Sequence, residues 1–332
     1  MNLDYPTLSA RIQALTAADF ESTALDVFQY QYQNNALYQQ FVNLLGISPE
    51  RVKQLEAIPF MPIQFFKQHQ IQTEQWTAEE VFTSSGTSQQ ITSQHLVRDL
   101  SWYQQHAYAA FEEVYGPLQD YVVLALLPSY LERQGSSLVF MVEQFIQHSQ
   151  QEASGFFLYN TKELLQTLAT CSQKGQAVLL LGVTYALLDL AEAHPQPLQN
   201  TLVMETGGMK GRRQEQTKQA VHQQLQEAFQ LPAIHSEYGM TELLSQAYST
   251  GQGIFYPSRL MHVLVRETTD PLSYVPNGRI GGLNIIDLAN LATCSFIATD
   301  DLGRKQENGS FEVLGRFDAS DLRGCNLLVA EE

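Results

Sequence analysis

Apolar positions in the first fifty residues recur at helical spacing. Ile12, Leu15, Phe20, Leu25, Val27, Phe28, Tyr32, Leu37, Phe41 and Leu45 share it, which predicts helix over residues 7–46 with Gly46 as the stop. Two prolines, Pro59 and Pro62, interrupt the pattern, so Ile58 to Lys67 reads as an extended or turning segment. Further on, short apolar runs alternate with amphipathic ones. Tyr121 to Leu127 is a buried strand ending at Pro128, Ser136 to His148 a helix, and Phe156 to Tyr159 a short strand. Asn160 and Glu163 fit a capping box that opens a helix through Cys171. Ala177 to Val183 is the most apolar strand, followed by a helix over Tyr185 to Ala193. Leu202 to Glu205, Arg213 to Phe229 and Ala233 to Ser236 then read as strand, helix and strand.

Strand–helix–strand at this spacing predicts a largely parallel sheet covered by helices. After Pro257 the texture changes. Leu260 to Val265, Arg279 to Ile286, Cys294 to Ala298 and Phe311 to Leu314 are short strands separated by turns such as Pro276-Asn277-Gly278 and Asn308-Gly309. The expected division is therefore an α/β region over 1–257, a β-rich subdomain over 258–318 and a short tail over 319–332.

Composition narrows the classes. The 332 residues are 44% hydrophobic, with 17 Phe and 15 Tyr, which is globular rather than disordered. A formal charge of −16 repels nucleic acid and anionic membranes, so neither is an expected partner. No apolar run reaches about 18 residues, and Met1 to Pro6 lacks a basic segment followed by an apolar one; a cytoplasmic protein without a membrane span is expected. Cys171, Cys294 and Cys325 are widely spaced and form no C-x-x-C pair, and the eight histidines form no H-E-x-x-H pattern. That argues against a disulfide framework and a structural zinc site, and leaves Cys171 and Cys294 as core residues. Lys210, Arg212 and Arg213 cluster on an otherwise acidic chain, either to hold a small anion or as a solvated surface patch.

Four runs could carry chemistry. Thr83-Ser84-Ser85-Gly86-Thr87-Ser88 is small and hydroxyl-rich, suited to folding backbone N–H groups around phosphate oxygens, though an ordinary surface loop has the same look. Tyr238-Gly239-Met240-Thr241-Glu242 follows a short strand and is expected to open a helix running through Leu243 and Leu244, whose free N–H groups would face an anion. There Thr241 could donate to a phosphate and Glu242 could take Mg²⁺; a helix N-cap and a first-turn carboxylate are the plainer alternatives. Thr299 to Arg304 offers an Asp just after a strand, or a tight turn. Gly315-Arg316-Phe317-Asp318 follows it.

In this order and on these elements, the four runs resemble the adenylate-forming superfamily of acyl and aryl acid ligases. More closely, the chain resembles acyl-protein synthetases of the LuxE type. That resemblance is carried by Ile58 to Lys67, Leu127 to Arg133, Gly135 to Leu138, Gly182 to Thr184, Glu205 to Arg213, His235 to Glu242 and Arg323 to Leu328. It implies the α/β large-domain fold of those enzymes, mostly parallel sheets flanked by helices plus a C-terminal β-rich subdomain, without their further small domain. It also implies ATP and Mg²⁺ as cofactors and a fatty acid or other small carboxylic acid as substrate, with an acyl reductase or other acyl-accepting protein as partner. By the same resemblance Thr83, Ser84, Ser85, Gly86, Thr87, Tyr238 and Gly239 handle phosphates, Gly207 and Gly208 lie against adenine, Asp301 meets the ribose, and Arg316 marks the hinge run. Thr241 and Glu242 are the catalytic pair, with Glu242 the metal ligand. The lysine of the absent small domain is either missing or replaced by a basic residue such as Lys210 or Arg212, and Cys325 takes the acyl group, or else is a buried structural cysteine beside a strand over Leu327 to Val329. The alternatives are a ligase passing its acyl group to CoA or a carrier protein, and a non-catalytic nucleotide-binding subunit.

Overall fold

The computed structural model describes residues 3–84, 92–127, 135–158, 160–207 and 216–317. Its strands are β1 (Met61–Pro62), β2 (Glu80–Thr83), β3 (Gln94–Val97), β4 (Tyr121–Leu126), β5 (Gly155–Phe156), β6 (Ala177–Val183) and β7 (Thr201–Thr206). They continue with β8 (His235–Tyr238), β9 (Ala247–Ser249), β10 (Ile254–Pro257), β11 (Met261–Arg266), β12 (Gly281–Asp287), β13 (Phe296–Lys305) and β14 (Phe311–Arg316). Twelve of them form one sheet in the order β11-β12-β13-β14-β10-β9-β8-β7-β6-β4-β5, with β1 alongside β13; β2 and β3 pair only with each other.

The sheet changes character at β8. From β8 through β7, β6 and β4 to β5 the neighbours are parallel. From β8 outward through β9, β10, β14, β13 and β12 to β11 they are antiparallel. Helices Ser137–Ser149, Thr161–Lys174, Thr184–Ala193 and Lys218–Phe229 make the crossovers that parallel strands require, and Leu100–Tyr115 leads from the β2–β3 hairpin into β4. The sequence explains the division. β4 and β6 are buried almost throughout, so they read as unbroken apolar runs and not as alternation. Helix starts are fixed by short polar side chains: Asp99 accepts from Ser101 N at 2.8 Å and Trp102 N at 3.1 Å, and Thr217 accepts from Ala220 N at 3.2 Å. Where Gly182 closes β6, a Cβ would lie 2.8 Å from Leu187 Cγ, so glycine is what lets the next helix pack so close.

Three sequence expectations change. The predicted 7–46 helix is three helices, Tyr5–Gln13, Phe20–Asn34 and Ala36–Leu44. Asn35 makes the second break: extended in backbone, it caps Tyr38 N at 3.0 Å while its amide donates to Thr293 O at 3.0 Å. The capping box at Asn160 does not form, because the Asn160 amide donates to Glu163 and its Oδ1 accepts from Leu158 N; the helix starts there regardless. Finally, β13 runs on through Asp300 to Lys305, so Asp300-Asp301-Leu302-Gly303 is strand and not turn.

The N-terminal helices are tied to the sheet by a buried amide. Gln31 donates to Asn290 O and Leu291 O at 3.0 Å each and accepts from Ser295 N at 2.9 Å. Removing it strands buried carbonyls, each costing about 1–3 kcal/mol. Gln31→Ala should therefore lower unfolding free energy by about 2–4 kcal/mol in urea titrations; a loss under about 1 kcal/mol would contradict this accounting.

Candidate active site

Strands β2 and β3 form a hairpin with Thr83 opposite Gln94, and the hydroxyl-rich run springs from its open end. Thr83 N donates to Gly135 O at 2.7 Å. The neck is closed twice over: Ser84 N donates to Ser93 O at 3.1 Å, and Ser93 N donates to Ser84 Oγ at 2.9 Å. Ser85, Gly86 and Thr87 lie outside the described residues, as do Gly208, Lys210 and Cys325.

One side chain joins this hairpin to the second run. His95 of β3 is fully buried, with Nδ1 2.7 Å from the Thr241 carbonyl and Nε2 3.1 Å from Thr293 Oγ1. A carbonyl only accepts, so Nδ1 carries the proton and Nε2 accepts from the threonine. Burial pushes the imidazole down to about 4 despite the Thr241 bond, keeping it neutral.

No helix begins at Thr241. The expected helical N-terminus is a turn, Leu243 N donating to Met240 O at 3.1 Å, which leads directly into β9. The cause lies 42 residues on. The Asp287 carboxylate takes Leu244 N at 2.8 Å, Ser245 N at 3.0 Å and the Ser245 hydroxyl, while the Asn290 amide holds Glu242 O at 2.8 Å. These bonds replace the helical ladder. Thr241 and Glu242 thus have their carbonyls pinned from outside. The Glu242 carboxylate is buried, makes no ion pair with a described residue, and is raised above the usual range by that burial. The Ser93 hydroxyl, though without a well-formed hydrogen bond, lies near enough to oppose the rise, helped by Arg316 and Lys67.

Tyr238, Asp301 and Arg316 come together. The Tyr238 hydroxyl donates to Asp301 Oδ2 at 2.8 Å, and Arg316 Nε lies 3.3 Å from Oδ1. Burial raises the Asp301 carboxyl and the Arg316 charge opposes it. Gly207 sits in a bend at the end of β7, φ +71°, its carbonyl accepting from Thr184 Oγ1 at 3.1 Å. Gly239 follows β8, and a Cβ there would collide with Glu237 Oε1. Hairpin neck, turn and β13 carboxylate therefore gather around the C-terminal end of β8, with Gly207 closing the neighbouring β7; in open α/β sheets such strand ends are where ligands bind.

The model of the family described as acyl-protein synthetase, LuxE, matches residues 15–332. The chain belongs to that family. Solved structures share the fold of this LuxE-family chain at low identity. ATP-bound MatB from Rhodopseudomonas palustris is 15% identical, over 73% of this chain and 49% of that one, TM-score 0.56. An open conformation of 2-hydroxyisobutyryl-CoA ligase with 2-HIB-AMP and CoA is 15% identical, over 93% and 78%, TM-score 0.67. The same ligase in its thioesterification state is 16% identical, over 93% and 71%, TM-score 0.66. The chain spans about half the length of MatB. Comparison with curated protein sequences gives no significant match.

Sequence reasoning missed His95 in this LuxE-family chain, because a single histidine in an amphipathic strand carries no spacing signal. It also missed two buried carboxylates flanking Thr206 and Ser236. Glu205 accepts from Lys218 Nζ, from Ser236 Oγ at 2.6 Å and from Thr184 Oγ1 at 2.8 Å. Burial works to raise it, but the Lys218 charge and these bonds win and bring it down to about 2. Among the described residues Glu237 accepts only from the Thr206 hydroxyl, and burial pushes it up to about 7. A charge ending an apolar strand was the available clue. Cys171 and Cys294 are both buried, and burial pushes the Cys294 thiol up to about 12, so neither is poised as a nucleophile. Among the described residues no cluster of three metal-ligating side chains occurs. No described helix is long and apolar enough to cross a membrane.

His95 makes the site acid-sensitive. Between pH 6.5 and about 4 the unfolded chain binds a proton at this imidazole that the folded chain does not, so its contribution is full above pH 6.5 and is lost as pH falls. Urea titrations of the wild type and His95→Asn at pH 7 and pH 5 should differ in their pH loss by about 2 kcal/mol, the wild type losing more. Equal losses would mean that the imidazole titrates normally.

Proposed function

We propose that this chain activates a carboxylic acid with ATP as an acyl adenylate and passes the acyl group to a thiol. The carrying observation is the His95 bond to the Thr241 carbonyl, which fixes the hydroxyl-rich hairpin against the Thr241–Glu242 turn. Both halves of a phosphate site are thereby held on one rigid piece, as charge stabilisation without reorganisation requires.

The residues fit the ligands. Thr83 and Ser84 lead into a loop of small residues suited to a polyphosphate. The Glu242 carboxylate, buried without a described cation partner, suits Mg²⁺, a hard cation that takes one or two carboxylates and shares substrate phosphates. Bound there, Mg²⁺ would polarise the α-phosphate. The ribose hydroxyls fall to Asp301, already oriented by Tyr238 and Arg316, and adenine to Gly207 and Gly208. In the reaction a carboxylate oxygen bonds to the α-phosphorus while the bond to the bridging oxygen breaks and pyrophosphate leaves. A thiolate then adds to the acyl carbonyl, and collapse of the tetrahedral adduct releases AMP and leaves a thioester.

Family membership favours a protein thiol, with Cys325 the acyl carrier and a fatty acid the donor. The CoA-bound state of the similar 2-hydroxyisobutyryl-CoA ligase supports CoA as the second candidate acceptor.

Acid-dependent exchange of labelled pyrophosphate into ATP, run over a panel of aliphatic and aromatic acids, tests the first step. Exchange with at least one acid is expected, and Glu242→Gln should cut it by about 10²-fold or more. Absence of exchange with every acid, alongside intact nucleotide binding, would favour a non-catalytic nucleotide-binding subunit. For the second step, intact-mass measurement after incubation with ATP and the active acid should show a thioester adduct that Cys325→Ser abolishes; an adduct that survives moves the carrier elsewhere.

A further inference from the structure

The segment Ile58 to Lys67 is fastened at both ends to the site. β1 pairs with β13 through Met61–Ile297 and Pro62–Ala298, and Ile63 N donates to Ala298 O at 3.0 Å. Gln64 Nε2 then donates to Asp300 Oδ1 at 2.5 Å, beside the Asp301 carboxylate. One turn later Phe66 is buried with its ring edge-on to His95, centroids 5.5 Å apart. A short helix, Phe65–Gln68, turns Lys67 outward between these anchors. Lys67 lines an open polar cleft of about 340 Å³ with Phe66, His69, Thr92 and Gln94, the last two being on the returning side of the hydroxyl-rich run.

Arg316 is held by Asp301, whereas Lys67 makes no ion pair with a described residue. A lysine ammonium is a compact charge with three donors, suited to clustered phosphate oxygens. We propose that Lys67 binds the β- and γ-phosphates of ATP and stabilises the pyrophosphate as it leaves. The proposal rests on the adenylating reaction above. As the carboxylate oxygen bonds to the α-phosphorus, the electron pair of the breaking bond goes to the bridging oxygen, and Lys67 meets the growing charge on that product. No proton transfer is needed. Lys67 is thus a catalytic residue of the first step alone, since neither acyl adenylate nor AMP retains those phosphates.

Two measurements on Lys67→Met and Lys67→Arg separate this from a structural role. Pyrophosphate–ATP exchange should fall about 10²-fold in Lys67→Met and less than about tenfold in Lys67→Arg. Binding of the matching acyl-sulfamoyl adenosine, an acyl-adenylate mimic without β- and γ-phosphates, should change by less than about threefold in calorimetry for both variants. Unchanged exchange in Lys67→Met overturns the proposal. So does a parallel loss of exchange and mimic binding, which would assign Lys67 to the acyl–AMP site or to folding. Failure of the wild type to exchange with any acid removes the adenylation reading itself, an outcome distinct from both.

Discussion

A buried carbonyl must have a donor, and at Thr241 that donor is His95. The requirement is strict because an unpaired polar group in a dry interior costs about as much as a whole hydrogen bond gains. The imidazole meets it from β3, not from within the turn, so the β2–β3 hairpin and the Thr241–Glu242 turn are held together. Its second nitrogen extends the constraint. Thr293 Oγ1 bonds His95, while the Thr293 carbonyl accepts from the Thr73 hydroxyl at 2.6 Å and the Asn35 amide at 3.0 Å. The break between two N-terminal helices is thereby connected, bond by bond, to the turn that bears Glu242. Gln31, on the same helical segment, fixes the start of β13 a few residues further along.

The acidic side chains at the strand ends divide by their partners. Glu205 has a lysine and two hydroxyls and stays ionised. Asp287 is fully buried and raised, yet its four donors, the N–H groups of Leu244, Ser245 and Ala289 and the Ser245 hydroxyl, oppose that rise, and it serves as the brace of the turn. Glu242 and Asp301 are different. Each is raised by burial, and the nearby cations offset only part of the cost. Carboxylates kept under-compensated beside a hairpin of small polar residues are stabilised when a ligand brings donors or a cation. A buried charge without a described cation partner, as at Glu242, is better explained by ligand binding than by stability.

Much of this was legible in the sequence because burial on both faces leaves unbroken apolar runs. β4 and β6 were found nearly to the residue, whereas the sheet turns antiparallel already at β9, ahead of the change of texture read after Pro257. Three of the failures share one cause, distant parts of the chain overruling local pattern. Leu243-Leu244 after Thr241-Glu242 looks like a helix start, but Asp287 takes the N–H groups that the helix would have used. Asn35 sits within a continuous helical period, and only its bond to Thr293 explains the break. Asp300-Asp301-Leu302-Gly303 has turn composition. It runs as strand because β14 pairs with it from Asp301 to Lys305, with a register shift at Leu302–Gly303 that absorbs the glycine. The motifs were readable as a set because each has its own composition; the histidine that joins two of them was not, since its meaning lies wholly in what it touches.

Whether a cation can serve a polyphosphate depends on what it already compensates. Arg316 is largely exposed but spends its guanidinium on Asp301, which holds the β13–β14 register pair Asp301–Arg316 as well as orienting the carboxylate. Lys218 is committed to Glu205, where removing it would leave a buried carboxylate unpaired. Cations so engaged turn to a substrate only by leaving the carboxylate they compensate, which costs most at the buried Glu205. Among the described residues Lys67 has no carboxylate partner. Its backbone is fixed by Phe66 and Gln64 while its exposed side chain lines the cleft, so binding an anion there costs mainly rotamer entropy.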